Sequence, residues 1–355
     1  MLHAVILAGG AGERFWPASR ARRPKPFLRV VGGRTLLDAT LLRARKVAGA
    51  GRVWVVCGNE HAKAIRRATR LPASRVLVEP TRRNTAAAVA FAALRIARSD
   101  PDAVMVVLPA DHHIPDTAAF VKDIRLAARA AREAGVLVTL GVRPTRPETG
   151  YGYIDVGALA GRAHPGLHRV RQFVEKPVRR VAERYVRGGR HLWNAGIFVF
   201  GARTVLEEIG AHAPELAAAL APLGARGRVS TAARLHCYRS APSVPIDVAV
   251  MEKSRRVWTL PVRWRWSDVG TWESLAGELG VGPGSSKLLA GELVYDDGAG
   301  NLVWGQSGRP IALLGVSGLA VVDAGDALLV ARLDRSNEVR AIVQALKERG
   351  RLDVT

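Results

Sequence analysis

The stretch "VILAGGAGERFWPASRARRPKPFLRV", Val5 to Val30, puts glycines beside a crowd of cations. Gly9, Gly10 and Gly12 let backbone N–H groups approach an anion closely, and Ala11 is small enough to stand in for a fourth glycine. Arg14 and Lys25 add charge. Lys25 lies between Pro24 and Pro26, which predicts a backbone pinned in an extended conformation and a lysine that acts as a fixed point charge. Such a mixture suits phosphate. A Walker A loop is excluded, because counting from Gly9 reaches Arg14 where a second glycine is required. The dinucleotide fingerprint fits Gly10 and Gly12 but meets Phe15 at its third position. The plainer alternative is a tight strand-to-helix turn with solvated basic residues.

Asp111 closes the apolar run "AVMVVLPAD", where a carboxylate suits a divalent cation and equally suits the cap of a following helix. His112 and His113 are adjacent and so point apart on any regular element, which argues against a shared zinc ion. Asn84 fits the N-cap of the helix that follows it. No spacing argues for a Ser/His/Asp or Cys/His unit. Cys57 and Cys237 are far apart without metal-ligand spacing, and read as buried, reduced residues.

Up to about residue 145, the runs "HAVILA", "RVWVVC", "SRVLVE", "AVMVVLPAD" and "GVLVTLGV" are almost continuously apolar. They alternate with amphipathic segments such as "TLLDATLLRARKVA" and "DTAAFVKDIRLAARAAREAG". That alternation predicts an α/β, Rossmann-like domain with a mostly parallel sheet and ligands beyond the carboxyl ends of its strands. "LAGGAGER" and "LPADHH" occupy such ends. Trp193, Phe198 and Phe200 alternate as strand residues do and are assigned to core packing. After "GVGPGSSK", a glycine- and serine-rich hinge, short strands separated by glycine or aspartate run to about residue 332. They predict a small all-β appendage, a solenoid of a few turns. Ser336 is the expected N-cap of the closing helix in "SNEVRAIVQALKERG". The expected domains are residues 1–280 and 288–355.

The chain has 355 residues, 48% hydrophobic and 24% charged, which suits two globular domains. No apolar run approaches the roughly 20 residues that span a bilayer. A start without basic leader or cleavage site leads to a cytoplasmic expectation with no membrane partner. The net charge of +22 invites a nucleic-acid reading. However, only eight of the 53 basic residues are lysine, the arginines are spread along the chain, and no nucleic-acid-binding module is recognisable, so no specific nucleic acid is expected.

"LAGGAGERFWPASRARRPKPFL" resembles the signature loop of the sugar-1-phosphate nucleotidyltransferases. Its Trp-Pro-x-Ser-Arg is similar to the mannose-1-phosphate guanylyltransferase branch. The resemblance continues in order through "EPTRRNTAAAVA", "LPADHHI", "ETGYGYI", "VEKP", "WNAGIFVF", "PIDVAVMEKS" and "WSDVGTW", and the tail resembles that family's short β domain, left-handed and helix-like. Pro26 departs from the glutamine usual after the loop lysine.

The resemblance implies transfer of GMP from GTP to α-D-mannose 1-phosphate with Mg²⁺. It implies Arg14 and Lys25 as catalytic residues, and Asp111 with Asp268 as metal ligands. The nucleotide would meet Leu7, Ala8, Gly9, Gly10, Gly12, Glu79, Asn84, Thr85, Pro109, Ala110 and Asp111. The sugar would meet Gly150, Tyr151, Glu175, Lys176 and Asn194. It also implies a homodimer through the C-terminal β domain. Rival readings are the same chemistry on another pair, such as dTTP with glucose 1-phosphate, a non-catalytic sugar-nucleotide sensor, or a polyanion binder.

Overall fold

A computed structural model describes residues 1–10, 12–225, 229–282 and 284–355. Ala11, and Pro283 within the expected hinge, lie outside the described residues. The chain packs as two units: residues 1–9, 40–110 and 114–266 form the first, and residues 10–39, 111–113 and 267–355 form the second. This division differs from the expected cut near residue 280. The reason is apolar: Phe15, Trp16 and Leu28 share a buried cluster with Val269, Trp272 and Leu275 and with Leu302, Trp304 and Val322 of the tail.

The strands of the first unit are β1 (Leu2–Ala8), β2 (Val53–Gly58), β3 (Val76–Glu79), β4 (Val104–Pro109), β5 (Leu137–Val142), β6 (Tyr153–Leu159), β7 (His168–Val174), β8 (His191–Gly201) and β9 (Val257–Pro261). They form one sheet in the order β3-β2-β1-β4-β8-β5-β9-β7-β6. β3, β2, β1 and β4 pair in parallel, as the early alternation predicts. β8 then enters antiparallel between β4 and β5, so the whole sheet is mixed and its parallel character belongs mainly to the first half. In register, Leu7 lies opposite Pro109 and Gly58 opposite Glu79, so β1, β3 and β4 deliver their ends at one edge of the sheet.

The helices of the chain are α1 (Leu36–Ala48), α2 (Ala62–Thr69), α3 (Asn84–Ala97), α4 (Thr117–Ala134), α5 (Arg179–Gly188), α6 (Ala202–His212), α7 (Pro214–Leu220), α8 (Thr231–Ser240), α9 (Trp272–Glu278) and α10 (Val339–Glu348). α3 is buried without interruption from Ala86 to Ala93, because it lies across β1, β2 and β3 and against α6. Trp193, Phe198 and Phe200 are all buried, but simple alternation does not account for them. The β5–β8 register shifts near Gly196, which has φ +64°. Trp193 joins a cluster with Tyr153 and Tyr185, while Phe198 and Phe200 join the main core.

In the second unit, β10 (Lys287–Ala290), β12 (Leu302–Gly305) and β14 (Leu319–Asp323) stack in parallel. β11 (Glu292–Asp296) and β13 (Pro310–Leu313) form a second parallel row, and β15 (Leu328–Arg332) closes the first row antiparallel to β14. These stacked rows are the expected short solenoid. The fully buried Asn301 stitches its turns, donating to the Val316 carbonyl at 2.9 Å and accepting from the Leu319 N–H at 3.0 Å. Ser336 does not cap the closing helix. It is fully buried, and its hydroxyl accepts from the Glu273 N–H of α9 at 3.1 Å. The segment before α10 is a 3₁₀ turn instead.

Candidate functional site

The second unit holds the glycine loop from Gly10 onward, Arg14, Lys25, Asp111 and Asp268. Lys25 does not adopt the extended backbone expected between prolines. Lys25–Phe27 is a 3₁₀ turn, because the Phe27 and Leu28 N–H groups donate back to the carbonyls of Pro24 and Lys25, each at 2.9 Å. The expected stiffness comes from burial instead. The lysine is only 6% exposed, and its Nζ donates to Asp111 Oδ2 at 2.7 Å and to the Asp268 carbonyl at 2.6 Å. The ammonium also stands 5.7 Å from the Phe15 ring centre.

Gly12 makes this possible. A β-carbon there would lie 2.3 Å from the Lys25 Cβ, and its φ is +71°, so the glycine backs the lysine as well as freeing the loop. At Gly9 and Gly10, an added β-carbon would meet no described atom within 4 Å.

A two-residue ladder brings the distant aspartates to one lysine. The His113 N–H donates to the Ser267 carbonyl at 2.9 Å, and the Ser267 N–H donates to the His113 carbonyl at 3.1 Å. Burial alone would raise the Asp111 pKa, but the Lys25 charge, with His112, outweighs it and holds the carboxylate below its usual value. Asp268 accepts from the Gly270 N–H at 3.1 Å. Between them the fully buried Val269 has φ +45°, a strained conformation for a β-branched residue. Arg14 is exposed on the turn Glu13–Phe15, and that turn is tied to α10 by Glu13, which accepts from Lys347 at 2.6 Å. Among the described residues no three His, Cys, Asp or Glu side chains cluster as a metal site.

The first unit holds Leu7, Ala8 and Gly9 at the end of β1, Pro109 and Ala110 at the end of β4, and Glu79 at the end of β3. The Leu7 carbonyl accepts from the Ala110 N–H at 3.0 Å, which joins the first two ends. Glu79 is 6% exposed, its Oε1 has no partner among the described residues, and burial pushes its carboxyl up to about 7. Asn84 does not serve as the N-cap of α3. It is left-handed at φ +63°, its own amide oxygen accepts from the Thr85 N–H at 2.9 Å, and Arg83 holds the cap position. The Thr85 hydroxyl accepts from the Ile246 N–H at 2.9 Å and so holds the segment before Asp247.

Gly150, Tyr151, Glu175 and Asn194 converge because Tyr153 lies opposite both Val174 and Trp193. Tyr151 packs edge-on against Trp193 and Trp266, with ring centres 5.2 and 5.3 Å away. The Gly150 N–H donates to Glu148 at 3.0 Å. Gly152 gives Glu175 room, since a β-carbon there would come within 2.7 Å of Glu175 Oε2. Lys176 is exposed and pairs with Glu175.

Asn194 is buried: its oxygen accepts from the Thr139 hydroxyl at 2.8 Å, and its nitrogen donates to Asp247 at 2.9 Å. Asp247 and Thr139 are residues that sequence reasoning missed. Burial, then the nearby Glu175 charge, push the Asp247 carboxyl up to about 7. Its motif was visible in the sequence, but nothing in the spacing marked a buried acid.

Residues 3–278 match the family model "Nucleotidyl transferase", and residues 291–346 match the "MannoseP isomerase/GMP-like beta-helix domain". The chain is 40% identical to the xanthan biosynthesis protein XanB of Xanthomonas campestris pv. campestris (strain B100), over 99% of this chain and 74% of that one. It is 37% identical to the mannose-1-phosphate guanylyltransferase of Escherichia coli K12, over 99% of this chain and 74% of the relative. A crystal structure of mannose-1-phosphate geranyltransferase from Thermus thermophilus superimposes with a TM-score of 0.88 at 37% identity, covering 98% of this chain and 99% of that one. The chain belongs to the nucleotidyl transferase family, as a sugar-1-phosphate nucleotidyltransferase with a C-terminal β-helix domain.

Proposed function

We propose that the chain transfers GMP from GTP to α-D-mannose 1-phosphate, forming GDP-mannose and pyrophosphate. The observation that carries this reading is the buried Lys25 ammonium, held on the Asp111 carboxylate and the Asp268 carbonyl beside Gly12. An oxygen of the sugar phosphate attacks the α-phosphorus, the new P–O bond forms, and the bond to the β-phosphate breaks in line. The attacking oxygen is already ionised at neutral pH, so no side chain needs to take its proton. The requirement is to hold anions in place and to neutralise charge at the reacting phosphorus. Lys25 is preorganised for that role by its two oxygen contacts. Arg14, with no described side-chain partner, is available to an incoming phosphate.

Asp111 and Asp268 would hold Mg²⁺, and their donor set fits: this ion takes one or two carboxylates and completes its shell with phosphates and water. The Asp111 side chain stays 30% exposed even while one oxygen holds Lys25. When bound, the cation would withdraw charge from the phosphates. Glu79, at the end of β3, would face the guanine base. Glu175, oriented by Gly152, and Asn194, fixed by Thr139 and Asp247, would take the mannose hydroxyls, with Gly150, Tyr151 and Lys176 beside them. The name of the Escherichia coli relative, mannose-1-phosphate guanylyltransferase, supports this pair of substrates.

The test is pyrophosphate release across a grid of GTP, ATP, UTP and dTTP against the 1-phosphates of mannose, glucose and galactose. GTP with mannose 1-phosphate should turn over fastest. A higher rate with any other pair overturns the substrate assignment, and no turnover with any pair overturns the reaction.

A further inference from the structure

The first unit carries a cavity of about 560 Å³ whose residues the reaction leaves unused. Its walls include Arg66 of α2, Ser74, Leu77 of β3, Arg95 of α3, Arg98 and Arg234 of α8. It sits at the far end of α3 from Asn84. Arg95 follows Asn84 by eleven residues, roughly 16 Å along the helix axis at the usual rise. A volume of this size suits a small phosphorylated metabolite, within the range of roughly 300–1,000 Å³ for small-molecule sites.

Among the described residues that line this cavity, the charges are of one sign. Among the described residues, Arg66, Arg95 and Arg234 form no ion pair, and Arg98 donates to the Ala225 carbonyl at 3.0 Å. Burial first, then the neighbouring guanidinium groups of Arg98 and Arg234, hold Arg95 below its usual pKa. Arg66 and Arg95 lie in the last turns of their helices, where a cation complements the helix dipole. Arg234 does not share that explanation. It lies in the opening turns of α8, beside the positive end of that helix, where a cation is disfavoured. Arg95 and Arg234 are partly buried while Arg66 and Arg98 are exposed, and Arg95 feels the like charges of Arg98 and Arg234, the latter set against a helix dipole, so positive charge is concentrated in this cavity. An anion removes the repulsion, and planar guanidinium groups match phosphate oxygens pairwise.

We infer that this cavity is a second anion site, for a phosphate-bearing small molecule, separate from the residues assigned to the reaction. The probe is inorganic pyrophosphate, and the measurement is hydrogen exchange along the whole chain, with sodium chloride added to match ionic strength. Pyrophosphate should protect peptides covering 91–98 and 231–240 in the wild type. In Arg95→Gln/Arg234→Gln, the concentration needed for that protection should rise at least about tenfold, the scale of losing charged hydrogen bonds. The thermal midpoint and the rate with saturating substrates should stay at wild-type values.

Lys25→Ala should leave this protection intact, so failure of the reaction assignment and failure of this site are separable. A parallel titration with GDP identifies the source. Protection at lower concentration by GDP assigns a nucleotide, and at lower concentration by pyrophosphate a free inorganic anion. Absent protection in the wild type, retained protection in the double variant, or equal protection by sodium chloride alone overturns the inference.

Discussion

A buried ammonium is tolerated only when oxygens surround it, and Lys25 meets that condition with Asp111 and the Asp268 carbonyl. Its charge is therefore aimed before any substrate arrives. Lys25→Met should lower kcat/KM about a hundredfold, the scale of losing one preorganised charge. It should also lower the unfolding midpoint, because the Asp268 carbonyl and the partly exposed Asp111 carboxylate lose their donor, at about 1 kcal/mol. Steady-state kinetics with thermal unfolding checks both, and wild-type kcat/KM would remove Lys25 from the mechanism.

Asp247 couples the stability of the fold to pH. Its folded carboxyl is raised to about 7 from an ordinary value of 3.8, so the folded state holds the proton more tightly than the unfolded chain. The stability it contributes is fully present below about pH 4 and is lost as pH rises through about 7. The residue keeps some solvent exposure, so the loss should be about 1–3 kcal/mol rather than the full value of the shift. Asp247→Asn should flatten the fall in urea midpoint between pH 5 and pH 8. Parallel curves for variant and wild type would contradict that.

At the scale of elements, α9 shows how short structures are held by remote groups. Thr271 caps its third N–H from within the segment, and Ser336 accepts from the Glu273 N–H in its first turn. The same helix begins just after Asp268, Val269 and Gly270, so its position governs where the strained turn presents its carboxylate. Ser336→Ala leaves a helix N–H without an acceptor and should cost about 1 kcal/mol, a few degrees in thermal midpoint. Mg²⁺ affinity should fall alongside if Asp268 binds the ion. An unchanged midpoint would show that the hydroxyl is dispensable.

At the scale of the whole molecule, most of the exposed large apolar side chains among the described residues lie in the C-terminal β tail and the helix that follows it. Leu328 and Val330 are 53% and 58% exposed on β15, an edge strand, and Leu314 is 74% exposed nearby in the chain. An exposed apolar edge is a template for self-association, and we propose that it carries the homodimer expected from the family resemblance. Sedimentation velocity should give twice the mass of one chain, and Leu328→Lys/Val330→Lys should halve it. A wild-type protein that sediments as a single chain would end the dimer assignment.

Sequence by itself determined the strands β1 to β5, because continuous apolar runs between helices have few other ways to bury themselves. It also determined the kinds of residue in the site, since phosphate chemistry needs glycines, cations and carboxylates, and their order along the chain matched a family. Tertiary structure decided what those residues do. Lys25 turned out rigid through burial rather than through its flanking prolines, and Thr85 was committed to holding Ile246. The insertion of β8 between β4 and β5, the ladder that joins His113 to Ser267, and the buried acid at Asp247 were equally illegible in one dimension. The reason is common to all of them. Local sequence sets backbone preference and apolar pattern, whereas the field at a side chain and the partners of its polar atoms come from residues distant along the chain, and only packing brings those together.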